Sequence, residues 1–273
     1  MKTPVALSIA GSDASGGAGM QADLKTFHQF GVYGEAVVTL ITVQNTRGVR
    51  RVHKLDPDLV LEQIHAVIED IPPDAAKTGA LGNAAEAVAK AAEYFKFPLV
   101  VDPILHSSQW DGAEPRQTLG DQVIHRCFLL MPNLDEASQL AGFPVTDLNG
   151  MRRAAEALAK MGAANVLIKG GHLPGDAVDL LYAKGAFREY RAPRIDTRHT
   201  HGTGCTYSAA ITAELAQGTP LEQAVERAKA FMTRAIETNP GLGKGAGPVN
   251  HHASLKESGE RRQESGVRSQ ESE

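Results

Sequence analysis

Gly202, Thr203, Gly204 and Cys205 place a nearly bare backbone and a thiol just ahead of an apolar helical run, Ala209 to Ala216. Glycine permits tight turning and close approach. A helix that opens directly out of such a loop turns unpaired N–H groups, and the positive end of its dipole, outward. That is an anion cradle, and phosphate is its usual guest. A thiol held in it is expected to lose its proton more easily than in water. Gly218 supplies the helix stop. The same residues also suit a plain glycine turn capping a helix around a small buried side chain. This stretch alone does not separate the two.

A second glycine cluster, Gly11 to Gly19, has four glycines in nine residues and follows an apolar run, Val5 to Ala10. Helical spacing resumes at Met20, Leu24, Phe27 and Phe30, and Gly31 ends it. Strand, glycine loop and helix make a ligand site at the end of a parallel strand. The loop is neither the dinucleotide fingerprint G-x-G-x-x-G nor a Walker loop, because no Gly-Lys-Ser/Thr follows. Further polar residues close other apolar runs: Gln44-Asn45-Thr46 after 35–45, Gly79 after 75–78, Asp102-Pro103 after 97–101, Asn133 after 127–131, and Lys169 after 165–168. Asn133 with Glu136 three residues on reads as a helix capping box. An acid at Asp102, beside a buried strand, calls for a partner. His106, His172, His199 and His201 lack metal-ligand spacing, and His201 reads as structural.

The elements that must position these residues alternate. Asp56-Pro57 caps and opens a helix to about Asp70, Asn83 to Glu86 and Thr219 to Glu222 read as capping boxes, and helices are expected near 133–141 and 147–161. Residues 178–183 and 187–192 flank Lys184-Gly185-Ala186 as a hairpin. Arg47 to Val52 reads as a basic flap, and Ile104 to Glu114 as a polar loop with the single tryptophan, Trp110. The expected fold is α/β, with a mostly parallel sheet and helices on both faces, which gathers the strand-end residues on one rim. From His251 onward Ser, Glu, Arg and Gln dominate, so 1–250 reads as one domain and 251–273 as a disordered polar tail.

The chain has 273 residues, 42% of them hydrophobic, and a net charge of −4, which leaves no electrostatic footprint for nucleic acid. Its two cysteines make no disulfide framework, and no apolar run is long enough to span a membrane. A cytoplasmic location is expected.

Gly11 to Gly19 with Gln21-Ala22-Asp23-Leu24-Lys25 closely resembles the hydroxymethylpyrimidine/phosphomethylpyrimidine kinases of thiamine biosynthesis. So do Gln44-Asn45-Thr46, Val101-Asp102-Pro103, Pro132-Asn133-Leu134-Asp135-Glu136, Lys169-Gly170-Gly171-His172 and His201 to Thr206. The resemblance covers residues 5–240 in order. It implies a ribokinase-like three-layer α/β/α fold, ATP as donor, Mg²⁺, and commonly a homodimer. It implies two successive phosphorylations, of 4-amino-5-hydroxymethyl-2-methylpyrimidine and then of its monophosphate. Carried over, Gln44, Gly11, Asp23 and Ala80 border the pyrimidine; Lys169, Asn133 and Thr206 face the nucleotide; and Asp102 and Glu136 serve the metal. Gly202, Thr203, Gly204 and Cys205 then hold the moving phosphoryl group.

Ala80 replaces a methionine frequent in the family, which implies a roomier pyrimidine pocket. Cys205 stands where many relatives in the superfamily carry an aspartate base. A neutral thiol there spares the second reaction a like-charge repulsion of about 4 kcal/mol at ~4 Å and an effective dielectric of ~20. The rival readings are a pyridoxal or pyridoxine kinase and a non-catalytic pyrimidine-binding regulatory module.

Overall fold

The computed structural model describes residues 2–105, 121–171 and 173–255. The expectations for His106, Trp110, His172 and 256–273 concern positions outside the described residues. Strand β1 (Val5–Asp13) leads through the first glycine loop into α1 (Gly19–Gln29). Strands β2 (Tyr33–Asn45) and β3 (Gly48–Lys54) form a hairpin, followed by α2 (Pro57–Asp70), β4 (Ala75–Thr78), α3 (Ala85–Ala92) and β5 (Leu99–Val101). Next come α4 (Asp121–Ile124), β6 (Leu129–Leu130), α5 (Leu134–Ala141), α6 (Leu148–Lys160) and β7 (Val166–Gly170). The hairpin β8 (Ala177–Ala183) and β9 (Ala186–Ala192) precedes α7 (Thr203–Ala216) and α8 (Leu221–Glu237).

The nine strands form one sheet in the order β3-β2-β1-β4-β5-β6-β7-β8-β9. The six strands from β2 to β7 pair in parallel, and the antiparallel partners β3, β8 and β9 lie at the edges. The basic flap is therefore β3, paired along the far end of β2. Strand order reverses beside β1, whose neighbours are β2 and β4. In open parallel sheets that switch point opens a crevice at the carboxyl ends of the strands.

Alternating strand residues divide the core into two layers, as a pleated strand buried on both faces requires. Leu7, Ile9, Leu99, Val101, Leu130 and Ile168 pack with Val60, Ile64, Val88 and Met151 from α2, α3 and α6. Ala6, Val100, Leu129, Met131 and Leu167 pack with Phe27, Ile211 and Phe231 from α1, α7 and α8. The three-layer expectation holds. Helix α7 is enclosed from Cys205 onward and packs between α1, α8, β1 and β4, so its first turn lies at the rim.

Two expected caps are not formed. Helix α3 starts at Ala85 with Ala84 as an uncapped N-cap, and α8 starts after Pro220. The Thr219 hydroxyl donates instead to Glu214 Oε2 at 2.7 Å. The Asp56 cap and the Asn133–Glu136 capping box are both present. His251 and Ala253, assigned from composition to the tail, are buried, and Gln29 Nε2 donates to Ala253 O at 3.0 Å. Among the described residues no helix is long and apolar enough to cross a membrane.

Candidate active site

The two glycine loops interlock at the rim. Gly202 has φ +82°, and a Cβ placed on it would lie 1.8 Å from Gly17 O. Gly19 has φ +58°, and its Cβ would lie 2.3 Å from Gly11 O. Both positions combine a left-handed backbone with main-chain contact, so only glycine fits. The first hydrogen bond of α7 runs from Thr206 N to Gly202 O at 2.9 Å. The amides of Gly204 and Cys205 therefore precede any carbonyl the helix can offer them, and the helix dipole adds positive charge there.

Beside this turn are the ends of β5, β6 and β7. Lys169 Nζ donates to Asp102 Oδ1 at 2.6 Å, and Asp102 is 2% exposed. Burial works to lower the Lys169 pKa, but the Asp102 and Glu136 carboxylates outweigh it and keep the ammonium charged. A Cβ on Gly204 would stand 3.5 Å from Asp102 Oδ2 and 3.7 Å from Lys169 Nζ, so the turn faces this pair directly. Asn133 Oδ1 accepts from Glu136 N, and Glu136 Oε2 accepts from Asn133 N, both at 2.8 Å. Burial pushes the Glu136 carboxyl up to about 7; Asp102 adds to the rise, and Lys169 and main-chain amides oppose it. Mg²⁺ keeps much of its water and needs only one or two carboxylates beside substrate phosphates. Asp102 and Glu136, whose carboxylates both act on Lys169, fit that requirement. Among the described residues no group of three or more His, Cys, Asp or Glu side chains forms a closed metal cage.

Gly11 and Ala80 lie together at the crevice between β1 and β4, where a Cβ on Gly11 would reach within 3.7 Å of Ala80 Cβ. Thr39 Oγ1 donates to Ala80 O at 2.6 Å and fixes that turn. Gln44, at the end of β2, has Nε2 3.3 Å from His201 Nε2, which is 2.7 Å from Asp13 Oδ2. The Asp13 carboxylate also accepts from Ser15 N, Ser15 Oγ, Gly17 N and Ala18 N. Burial alone would raise its pKa, but hydrogen bonds from His201 and Ser15 bring it down to about 2.

Three sequence expectations need correction. Thr206 is fully enclosed on the inner side of α7, so its hydroxyl reaches no nucleotide. Asp23 is also fully buried. It accepts from Lys77 Nζ at 2.8 Å and from Ser8 Oγ at 2.6 Å, and serves the interior in place of a substrate. The expected acidic thiol is reversed: burial pushes Cys205 up to about 11, although Lys77 and a hydrogen bond from the Gly19 amide pull the other way. Burial likewise pushes Cys127 up to about 12. Iodoacetamide at pH 8 is therefore expected to leave both cysteines unmodified in the native protein and to modify both after unfolding. Mass spectrometry checks this, and a native adduct on Cys205 contradicts it.

Lys77 is the participant the sequence did not single out; Asp13 lies in the first glycine loop, and His201 was expected to be structural. The signal for Lys77 was a lysine inside a four-residue apolar strand. Its partner Asp23 stands on a different element.

A family model described as phosphomethylpyrimidine kinase matches residues 13–250. The chain is 45% identical over 258 residues to a hydroxymethylpyrimidine/phosphomethylpyrimidine kinase of Bacillus subtilis, covering 91% of this chain and 94% of the relative. It is 46% identical over 252 residues to the thiamine biosynthesis bifunctional protein ThiED of Geobacter sulfurreducens. That match covers 90% of this chain and 51% of the relative, so the chain spans about half the length of the bifunctional protein. Among solved structures, an ADP complex of Bacillus subtilis pyridoxal kinase matches with a TM-score of 0.83 at 38% identity, over 92% of this chain and 98% of that one.

Proposed function

The chain belongs to the phosphomethylpyrimidine kinase family, and from that premise we propose that it is a two-step pyrimidine kinase of thiamine biosynthesis. It transfers the terminal phosphoryl group of ATP to the hydroxymethyl oxygen of 4-amino-5-hydroxymethyl-2-methylpyrimidine. It then transfers a second to the phosphate of the product. The observation that carries this reading is the placement of the Gly202–Cys205 turn against the Asp102–Lys169 pair, on the rim that also holds Gln44, Gly11 and Ala80.

Phosphoryl transfer passes through a loose transition state, so positioning and charge stabilisation do most of the work. In this reading the Gly204 and Cys205 amides, held by Gly202 and Thr203, hydrogen-bond the moving group. Lys169 and Asn133 orient the donor phosphates. Mg²⁺ would be held by Asp102 and Glu136 and, when bound, supplies neutralising charge to the phosphates. Gln44 binds the ring, with Gly11 and Ala80 shaping its pocket. The acceptor proton leaves late, so no strong base is required. The protonated Cys205 thiol keeps the turn free of negative charge when the acceptor is itself a phosphate.

One kinase domain over 1–250, a homodimer and a cytoplasmic location complete the proposal. Ile41 and Val43, exposed on one face of β2, suit contact with a second copy. Mass spectrometry of products from the pyrimidine alcohol with ATP and Mg²⁺ tests the function. Both mono- and diphosphate are expected, and no ATP-dependent product overturns the reading. The rival is a pyridoxal kinase, favoured by the structural likeness to one. Steady-state rates on the two alcohols decide between them.

A further inference from the structure

We infer that Lys229 of α8 is a positioning residue for Lys169: by occupying Asp179 it leaves the Lys169 ammonium to face Asp102 and the donor phosphates. The inference rests on the reading of Lys169 as a donor-phosphate residue. Strands β7 and β8 pair antiparallel, and Lys169 stands directly opposite Asp179. Residues so placed share one face of the sheet, with Cβ atoms about 4.5–5.5 Å apart, and opposite charges there attract. The long flexible stem of a lysine lets it reach such a neighbour. Strand register alone therefore directs Lys169 toward Asp179.

The structure shows a different pairing. Lys169 Nζ donates to Asp102 Oδ1 at 2.6 Å, and Lys229 Nζ donates to Asp179 Oδ2 at 2.7 Å. The other Asp179 oxygen accepts from Gly170 N at 3.1 Å, so the carboxylate also holds the end of β7. The Asp179 side chain is 4% exposed and that of Lys229 is 13% exposed. A carboxylate so enclosed needs a countercharge. Tyr207 supplies none, because burial and the Asp179 charge hold its phenol well above the usual pKa and therefore neutral. Lys229 supplies it from the helix side. Without the Lys229 charge, Asp179 is a buried anion directly opposite Lys169. The Lys169 ammonium is then shared between Asp102 and Asp179, and whatever Asp179 takes is withdrawn from the phosphates. Lys229 touches neither substrate nor Lys169; it acts through the carboxylate it neutralises.

The test is a set of variants of the full-length chain, assayed by ADP release with the pyrimidine alcohol. Lys169→Ala is expected to lower kcat/KM for ATP; a parental value overturns the reading of Lys169 and the inference with it. Lys229→Met is expected to lower kcat/KM for ATP by about 10–100-fold, the scale of one charge-assisted hydrogen bond, with the pyrimidine KM within about twofold. Asp179→Asn breaks the same ion pair but leaves no competing charge, so kcat and both KM values are expected to stay near parental. A merely structural ion pair would make the two single variants alike. Asp179→Asn/Lys229→Met is expected to recover most of the loss, because the effects are coupled. In crystals of Lys229→Met, Lys169 Nζ is expected within about 3.2 Å of the Asp179 carboxylate. If Lys229→Met does not fold, Lys229→Gln, which still donates to Asp179 but carries no charge, takes its place. With Lys169→Ala impaired, four results overturn the inference and leave the reading of Lys169 intact. These are a parental Lys229→Met, equal losses in the two single variants, a double variant no better than Lys229→Met, and Lys169 still held on Asp102 alone in the Lys229→Met crystal.

Discussion

Gly202→Ala is expected to lower kcat on the pyrimidine alcohol by about 10²–10³-fold, the cost of losing an aligned donor from a transition-state cradle. The cause is geometric. The added methyl would stand 1.8 Å from Gly17 O in a backbone with φ +82°, so the turn must move. Moving it carries the Gly204 and Cys205 amides away from the phosphoryl group together. Gly204→Ala is the contrast, since its methyl would meet Asp102 and Lys169 only at 3.5 and 3.7 Å, ordinary contact distances. That variant is expected to keep the turn in place. Steady-state kinetics beside circular dichroism separate lost alignment from lost fold. A folded Gly202→Ala enzyme with parental kcat contradicts the role given to the turn.

Lys77→Met is expected to destabilise the protein by about 3–5 kcal/mol, the usual cost of stranding one member of a buried ion pair. Lys77 and Asp23 side chains are both 0% exposed and 2.8 Å apart. Burial works against the Lys77 charge, but Asp23, with Asp102 beyond it, more than offsets this and raises its pKa. Removing the ammonium leaves a carboxylate with Ser8 as hydrogen-bond donor, in a region that already holds Asp102. Lys77→Met combined with Asp23→Leu is expected to recover most of the loss, because buried pairs replaced by apolar residues of similar volume are often neutral. Urea denaturation measures both. A single variant within about 1 kcal/mol of the parent contradicts the account, since the mechanism requires a larger loss.

The fold was legible because each strand of the parallel core is a short apolar run that ends in a turn or a polar residue. Alternation with helices then dictates a rim. Asp56-Pro57 and Asn133 with Glu136 are caps whose chemistry is local, and both formed. Thr219 and Asn83 show the limit. A hydroxyl near a helix start caps only if no better partner is in reach, and Thr219 found Glu214. Asp23 has the spacing of a surface helix acid; what buries it is Lys77, 54 positions away. The Asp13–His201 contact joins residues 188 positions apart. At Cys205 the helix dipole, a local feature, favours the thiolate, and burial, set by the tertiary fold, outweighs it.

The most direct measurement is a crystal structure with a non-hydrolysable ATP analogue and the pyrimidine alcohol bound together. The account expects a terminal-phosphate oxygen within about 3.1 Å of the Gly204 and Cys205 amides, as a pre-formed donor set requires. It also expects the alcohol oxygen in line behind the phosphorus, on the Gln44 side. A terminal phosphate held away from that turn, with the alcohol elsewhere on the rim, contradicts it.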